Sequence, residues 1–322
     1  MLVQSAGGNT SLKEGGVMWI KASGTLLADA MDKDIFVAVD LAGMRNSISK
    51  ADPIADQPQH FLIDSEQMLR PSIETSLHAI FEQRVVMHVH CVHTLAHAIR
   101  QDAQRLLDDC LDGLDWVMVP YAKPGASLAK TAADALKPDT TIVVLANHGL
   151  LVAADSVEQA EADLRKVHER LAIFHAPATA PQLGELERLA AGSAYCLPEY
   201  SLVHQLALDT DRIRQAATGS LYPDHVIFCG VAVTVLGADE NLQTLEQMSV
   251  DSNKPVPVFV LVRGAGVLVR HDASSGALAL MRCLADVLTR VPSDAQLVYL
   301  SDDQNAELLS WDAEKYRQSL NA

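Results

Sequence analysis

The run Val85-Val86-Met87-His88-Val89-His90 limits the folds open to this chain more than any other stretch. An apolar run of this length reads as a buried strand, which belongs inside a sheet. Side chains alternate along a strand, so Val86, His88 and His90 face one way and Val85, Met87 and Val89 the other. Two imidazoles therefore meet on one side. Such a pair is half of a metal site, or two hydrogen-bonded core histidines. Cys91, next in sequence, points away from the pair and is not a ligand.

Two further residues fit the other half. The run Thr141-Ile142-Val143-Val144-Leu145 stops at Asn147-His148-Gly149, which places His148 where a strand leaves the sheet. In Pro71-Ser72-Ile73-Glu74, Ser72 reads as a helix N-cap, with Glu74 in the first turn of a helix running toward Gln83. Three neutral imidazoles and one carboxylate suit Zn²⁺ best, and also Mn²⁺, Co²⁺ or Fe²⁺. Four protein ligands ordinarily close a structural site. Catalysis needs one to let go, and the carboxylate is the natural one. Glu74 and His78, four residues apart, also fit a helix surface pair. His93 and His97 read as supports or as solvent-facing.

The order Gly7-Gly8-Asn9-Thr10-Ser11, Lys21-Ala22-Ser23-Gly24, Pro71-Ser72-x-Glu74-x-x-x-His78, His88-x-His90, Pro120-Tyr121-x-x-x-Gly125 and Asn147-His148-Gly149-Leu150 resembles the class II aldolase/adducin family over about residues 2–175. The resemblance implies a three-layer α/β/α sandwich around a central mixed, largely antiparallel sheet. It implies that His88, His90 and His148 hold zinc or a similar ion, and that Glu74 is a ligand at rest and an acid/base in turnover. Asn9, Ser23, Gly24 and Ser72 would form the pocket for a sugar phosphate. Related active sites lie between subunits of a ring, usually a tetramer, so a homo-oligomer is expected. The family also holds epimerases, decarboxylases and dehydratases on the same metal site, and adducin-like modules that keep the fold without turnover. A purely structural zinc site is a further alternative. The chain departs from the pattern in three places: Ile73 stands where a second serine is common, the Gly-Gly-Asn turn arrives without the usual preceding helix, and Tyr121 belongs to a turn and is no counterpart of the tyrosine that some relatives contribute from a neighbouring subunit.

The chemistry asks for these residue types. Cleaving the C3–C4 bond of a ketose 1-phosphate leaves an enediolate, whose developing charge a divalent ion can stabilise as a Lewis acid. A base must take the C4 hydroxyl proton, and a carboxylate beside the ion is placed to do so. Imidazole ligands leave the ion its charge. The small-residue turns at 7–11 and 22–25 can offer N–H groups and hydroxyls to an anion, and the helix start at Ser72 adds a dipole end. Lys13 and Lys21 read as surface lysines.

At 322 residues and 49% hydrophobic content the chain prefers two domains. Residues 1–175 read as the metal-binding catalytic domain, 176–190, rich in alanine and proline, as a linker, and 191–322 as a smaller C-terminal α/β domain. In the second part helices are expected at 185–191, 201–217, 275–289 and 302–320, and strands at 226–229, 231–236, 256–262 and 267–270. Laid over 258–289, residues 141–172 match at nine of 32 positions, with His148 opposite Ala265. Both read as strand, glycine turn, strand, cap and helix. A degenerate repeat, with 225–231 as counterpart of the His-x-His strand, is one reading of this match, and shared architecture with convergent composition is the other.

A formal charge of −16 argues against nucleic acid and anionic membranes as partners; a small sugar or sugar phosphate is the partner that the resemblance implies. No apolar run reaches the ~18 residues of a membrane span, and the beginning lacks a signal-peptide pattern, so a cytoplasmic enzyme is expected. Five cysteines without a CxxC spacing are expected as reduced thiols. Arg263-Gly264-Ala265-Gly266 lacks the third glycine of a dinucleotide fingerprint, which argues against hydride chemistry.

Overall fold

The computed structural model describes residues 2–320 except 176, 238–239, 252–254, 313–315 and 317–319. These form two compact units. One holds residues up to 98, 102–172 and the described residues from Trp311 onward, and the other 99–101 and 173–310.

The first unit runs β1 (Asn9–Glu14), β2 (Val17–Lys21), β3 (Phe36–Asp40), α1 (Leu41–Ser49), α2 (Thr75–Ala79), β4 (Val85–Val89), α3 (Val92–Ala98), α4 (Ala103–Cys110), β5 (Trp116–Val119), α5 (Ala126–Ala135), β6 (Ile142–Leu145), β7 (Gly149–Ala154) and α6 (Val157–Arg170). Its seven strands lie in the order β3-β2-β1-β4-β7-β6-β5. Neighbours are antiparallel except β5 and β6. On one face Val86, Val143 and Leu151 pack against Leu77 of α2 and Leu128 and Ala132 of α5. Met18, Ile20 and Val37 meet Met44 of α1 on another stretch of the sheet. On the opposite face Val89, Val144 and Val152 meet Leu107 of α4 and Leu164 and Val167 of α6. Helices thus cover a largely antiparallel mixed sheet from both sides, and each buried valine or leucine contributes about 1.5–3 kcal/mol. The sequence of α6 explains its place: Ser156 Oγ accepts from Gln159 N–H at its start, and Ala160, Leu164 and Val167 recur on its buried side.

The helix before β4 is shorter than its sequence suggested. It ends at Ala79, with Glu74 itself at the N-cap position. The carbonyls at and beyond its end serve side chains instead: Arg45 donates to Ala79 O and Phe81 O, and Lys13 to Phe81 O and Gln83 O. Ser72 still serves the helix start, its Oγ accepting from Glu74 N–H at 3.3 Å.

The second unit runs α7 (Leu183–Ala190), β8 (Tyr195–Cys196), a 3₁₀ turn at Ser201–Ala207, α8 (Thr210–Ala217), α9 (Pro223–Cys229), β9 (Thr234–Leu236), α10 (Leu242–Asp251), β10 (Phe259–Val262), β11 (Gly266–Arg270), α11 (Ser275–Leu288) and α12 (Asp302–Ser310). Several expectations are corrected. The strand expected at 226–229 is helix α9, which Pro223 opens with its φ already set for a helix. The helix expected over 201–217 is divided, because Asp209 takes the Asp211 and Arg212 N–H groups and starts α8 afresh. The strand expected at 231–236 is confined to 234–236, and that at 256–262 begins at Phe259. Helix α7 occupies much of the stretch read as a linker, and α12 stops at Ser310. Part of the remainder expected as helix, 313–315 and 317–319, lies outside the described residues.

The four strands of this unit lie in the order β8-β11-β10-β9, and they reproduce β4-β7-β6-β5 pair by pair. Val143 pairs with Leu151 and Val117, and Val260, 117 residues on, pairs with Leu268 and Thr234, each 117 residues on in turn. Directions match as well: antiparallel between the first pair, parallel between the second. Met87 pairs with Val152 as Cys196 pairs with Val269. The counterpart of the His-x-His strand is therefore β8 and not 225–231, which is mostly α9. Among the described residues no helix is long and apolar enough to cross a membrane, and all five cysteines are free thiols.

Candidate metal centre

Strand β4 lies between β1 and β7, with His88 paired to Asn9 on one side and Leu151 on the other. His88 is fully buried. Its Nδ1 lies 3.1 Å from Leu150 O. A carbonyl can only accept, so Nδ1 carries the proton and Nε2 keeps its lone pair. That lone pair faces His90 Nε2 at 3.0 Å. His148 arrives from the β6–β7 turn, where Asn147 takes a left-handed φ of 55° and His148 N–H donates back to Leu145 O. The ring centroids of the three histidines lie 4.9, 5.0 and 5.2 Å apart, and one nitrogen from each falls within 4.8 Å of the other two.

Gly149 makes this closeness possible. A Cβ there would lie 2.6 Å from Val89 O and 3.2 Å from both the His88 and His90 rings. No larger residue fits without moving them.

Glu74 closes the group from the start of α2. Its Oε2 lies 3.4 Å from His88 Nε2 and its Oε1 3.3 Å from His148 Nε2. Asn9 Nδ2 donates to Oε2 at 2.8 Å. Burial by itself would push this carboxyl up, but the neighbouring His88, His148 and His90 rings, when protonated, together with the Asn9 N–H, hold it down at about 2. The residues fit a divalent ion: four N and O donors, buried and spaced 3.0–3.4 Å along the measured edges, close to the ~3.4 Å between ligands of a tetrahedral ion with bonds near 2.1 Å. The reading of Glu74 and His78 as a helix surface pair is excluded, since both are buried. His78 Nδ1 instead meets Ser11 Oγ at 2.8 Å.

The residues expected around an anion are drawn to the same side. Ala22 bridges Pro71, Ser23 N–H donates to Arg70 O and Ser72 N–H to Lys21 O, so the Ser23-Gly24 turn runs beside the Ser72 loop. Asn9 Nδ2 also donates to Ser72 Oγ at 3.1 Å, while Asn9 Oδ1 is buried with no hydrogen-bond partner. Lys13 and Lys21 are buried, not surface residues, because backbone carbonyls claim both. Lys21 Nζ joins Ala6 O and Thr25 O, and Lys13 is pushed down to about 7 by burial and by Arg45 nearby. Cys91 lies on the opposite face with its Sγ 3.2 Å from His168 Nδ1. His97 meets Leu171 O through Nε2, and His93 stacks near His168.

Sequence reasoning missed the residues that follow α12. Trp311 lies under the Lys123 ammonium at 4.4 Å, and Tyr316 under the Arg70 guanidinium at 4.1 Å. Leu320 presses so closely on Gly24 that a Cβ there would collide with its Cδ1. Leu320 and Tyr316 therefore lie against the Gly24 turn and the loop that leads into Ser72. A lone tryptophan, tyrosine and leucine some two hundred residues and more from the loops they touch give no local signal.

Comparisons with known proteins bear on the first unit. The model of the class II aldolase and adducin N-terminal domain matches residues 1–174. The uncharacterized oxidoreductase YuxG of Bacillus subtilis (strain 168) is 32% identical over 167 residues, which are 47% of this chain and 24% of the relative. The chain thus spans about a quarter of that relative's length. Among solved structures, the N-terminal class II aldolase domain of a conserved protein from Thermoplasma acidophilum is 25% identical, covering 52% of this chain and 82% of its own, with a TM-score of 0.46. L-fuculose-1-phosphate aldolase from Thermus thermophilus is 15% identical, covering 59% and 88%, with a TM-score of 0.35.

Proposed function

Because the chain belongs to the class II aldolase and adducin N-terminal domain family, we propose that its first unit is a divalent-metal-dependent aldolase. It cleaves a small ketose, a ketose 1-phosphate by preference, to an aldehyde and a three-carbon ketone fragment. The observation that carries this reading is the buried meeting of His88, His90 and His148 with the Glu74 carboxylate. His88, His90, His148 and, at rest, Glu74 hold the ion, with Zn²⁺ the best match to the donors and Mn²⁺, Co²⁺ or Fe²⁺ also accommodated. The bound ion supplies Lewis-acid stabilisation of the negative charge that develops on the substrate as the bond breaks.

The chain's own residues do the rest. Glu74, kept ionised, takes the proton of the substrate hydroxyl next to the breaking bond and returns it when the new bond to hydrogen forms. Asn9 holds that carboxylate by one oxygen, so it moves from ligand to base without losing its place. The unpartnered Asn9 Oδ1 is left to accept a substrate hydroxyl. Ser72, Ser23 and the Gly24 turn take the phosphate. Burial of the group excludes bulk water, which strengthens each of these contacts. The protein acts as a homo-oligomer, in keeping with the resemblance, and in the cytoplasm, in keeping with its composition.

Metal analysis of the purified chain beside a coupled aldehyde-release assay on ketose 1-phosphates and their unphosphorylated forms tests the reading. One ion per chain and chelator-sensitive aldehyde release are expected. Bound metal without release from any ketose would overturn the aldolase and leave a sister epimerase or decarboxylase activity. A chain without metal after chelator-free purification would leave an adducin-like module.

A further inference from the structure

In the second unit the four metal positions carry other residues. Ala265 replaces His148. Counting on from Cys196, the counterpart of Met87, Leu197 and Glu199 replace His88 and His90. Gln182 stands at the N-cap of α7 as Glu74 stands at that of α2. The β10–β11 turn keeps its shape, with Gly264 at a φ of 75° where Asn147 has 55°. Gln182 ties this turn down, donating from Nε2 to Gly264 O and from its backbone N–H to Ala265 O. His204 and Leu186 take the room around Gly266 that the His88 and His90 rings take around Gly149.

Beside that filled position the unit is open. A cleft of about 440 Å³ lies at the C-terminal ends of the parallel strands β9 and β10, a place where α/β sheets commonly bind small molecules. Leu236 and Val262 are buried in its floor beside Leu189, and its rim carries Glu185 and Arg188 of α7, Glu240, and Arg263 of the turn. Glu185, Arg188 and Leu189 share one face of the helix. Arg188 and Arg263 have no ion pair among the described residues, in a chain with 41 acidic and 25 basic side chains. Glu240 is engaged already, its carboxylate accepting from Gly237 N–H at 2.9 Å.

We propose that this cleft binds a small hydroxylated organic anion, a sugar acid or a sugar phosphate, without cleaving it. The two guanidinium groups take the carboxylate or phosphate, for which their forked donors are suited. Glu185 accepts hydroxyls from the ligand, and the apolar floor takes its carbon face. Among the described residues the cleft has no histidine to hold an ion as the first unit does, so the site binds and does not turn over.

Calorimetric titration of the full chain with glycerol 3-phosphate and, separately, with gluconate tests this, comparing wild type with the double variant Arg188→Gln, Arg263→Gln. Both arginines are exposed, so the variant keeps its fold, which an unchanged melting temperature verifies. Wild type is expected to bind at least one probe, with glycerol 3-phosphate identifying a phosphate site and gluconate a carboxylate site. In the variant one equivalent of that binding weakens at least tenfold, while metal content and turnover stay as in wild type. Equal affinity and stoichiometry in the two proteins, or no binding of either probe to wild type, would overturn the proposal. Because metal content and turnover are read in parallel, failure here is distinguishable from failure of the aldolase reading.

Discussion

Asn9 Nδ2 donates to Glu74 Oε2 at 2.8 Å, and the same Asn9 is the cross-strand partner of His88. One residue of β1 therefore fixes the carboxylate while its backbone sits opposite an imidazole, so the register of one strand pair sets the spacing of carboxylate and imidazole together.

Glu74→Gln separates the two roles proposed for this side chain. The amide keeps the size of the carboxylate and leaves three imidazoles, so metal content is expected near the wild-type level. Turnover is expected to fall by about two to four orders of magnitude, the usual worth of a positioned base. Atomic emission analysis beside steady-state rates makes the comparison. A variant that turns over at the wild-type rate would rule out the base.

His88→Ala is expected to lose both metal and activity, since the ring donates to Leu150 O while its other nitrogen faces His90. The fold survives, at a cost of about 1–3 kcal/mol for the carbonyl left without its donor. Undiminished metal content would sink the assignment. Circular dichroism and denaturant unfolding check the fold separately.

These histidines were legible because strand alternation is a local rule: His88 and His90 must share a face whatever surrounds them. Glu74 was legible only as a candidate, because its carboxylate is held by Asn9, which lies in another element 65 residues earlier. The lysines were misread for the same reason, since a lysine inside a β-hairpin looks solvated until its carbonyl partners are known. The segment 226–229 misled because a short apolar run fits a buried strand and a buried helix equally, and here Pro223 was the sign of a helix start. The covering of Gly24 by Leu320 joins residues nearly three hundred positions apart and leaves no trace in either neighbourhood.

Gly149→Ala tests how tightly the three imidazoles are held. The new methyl group would meet backbone at Val89 O, which cannot swing aside, as well as the His88 and His90 rings. Metal affinity is expected to fall by about tenfold or more, the range seen when the supports of metal ligands are disturbed. Gly184→Ala is the control: nothing lies within 4 Å of its Cβ position, and in helix α7 an alanine raises stability by up to about 1 kcal/mol. Competition with a chromogenic chelator reads both variants. Equal metal affinity in Gly149→Ala and wild type would show that the rings tolerate displacement.

His225 makes the second unit acid-sensitive independently of the metal centre. It lies on α9, 1% exposed, with neither ring nitrogen hydrogen-bonded and with Tyr222 and Phe259 as ring neighbours. Burial pushes its pKa down from 6.5 to about 4. The unfolded chain therefore binds a proton near pH 6.5 that the folded chain refuses until near pH 4. The sign follows: this contribution is fully present above pH 6.5 and is lost as pH falls through that window, by about 3 kcal/mol in all. His225→Phe keeps the packing and removes the proton site, so the difference in unfolding midpoint between variant and wild type should widen in favour of the variant from pH 7 to pH 4.5. Carboxylates that also titrate there act equally on both proteins and cancel in the difference. Midpoints that run parallel across that range would mean that His225 finds a partner for its proton in the folded state.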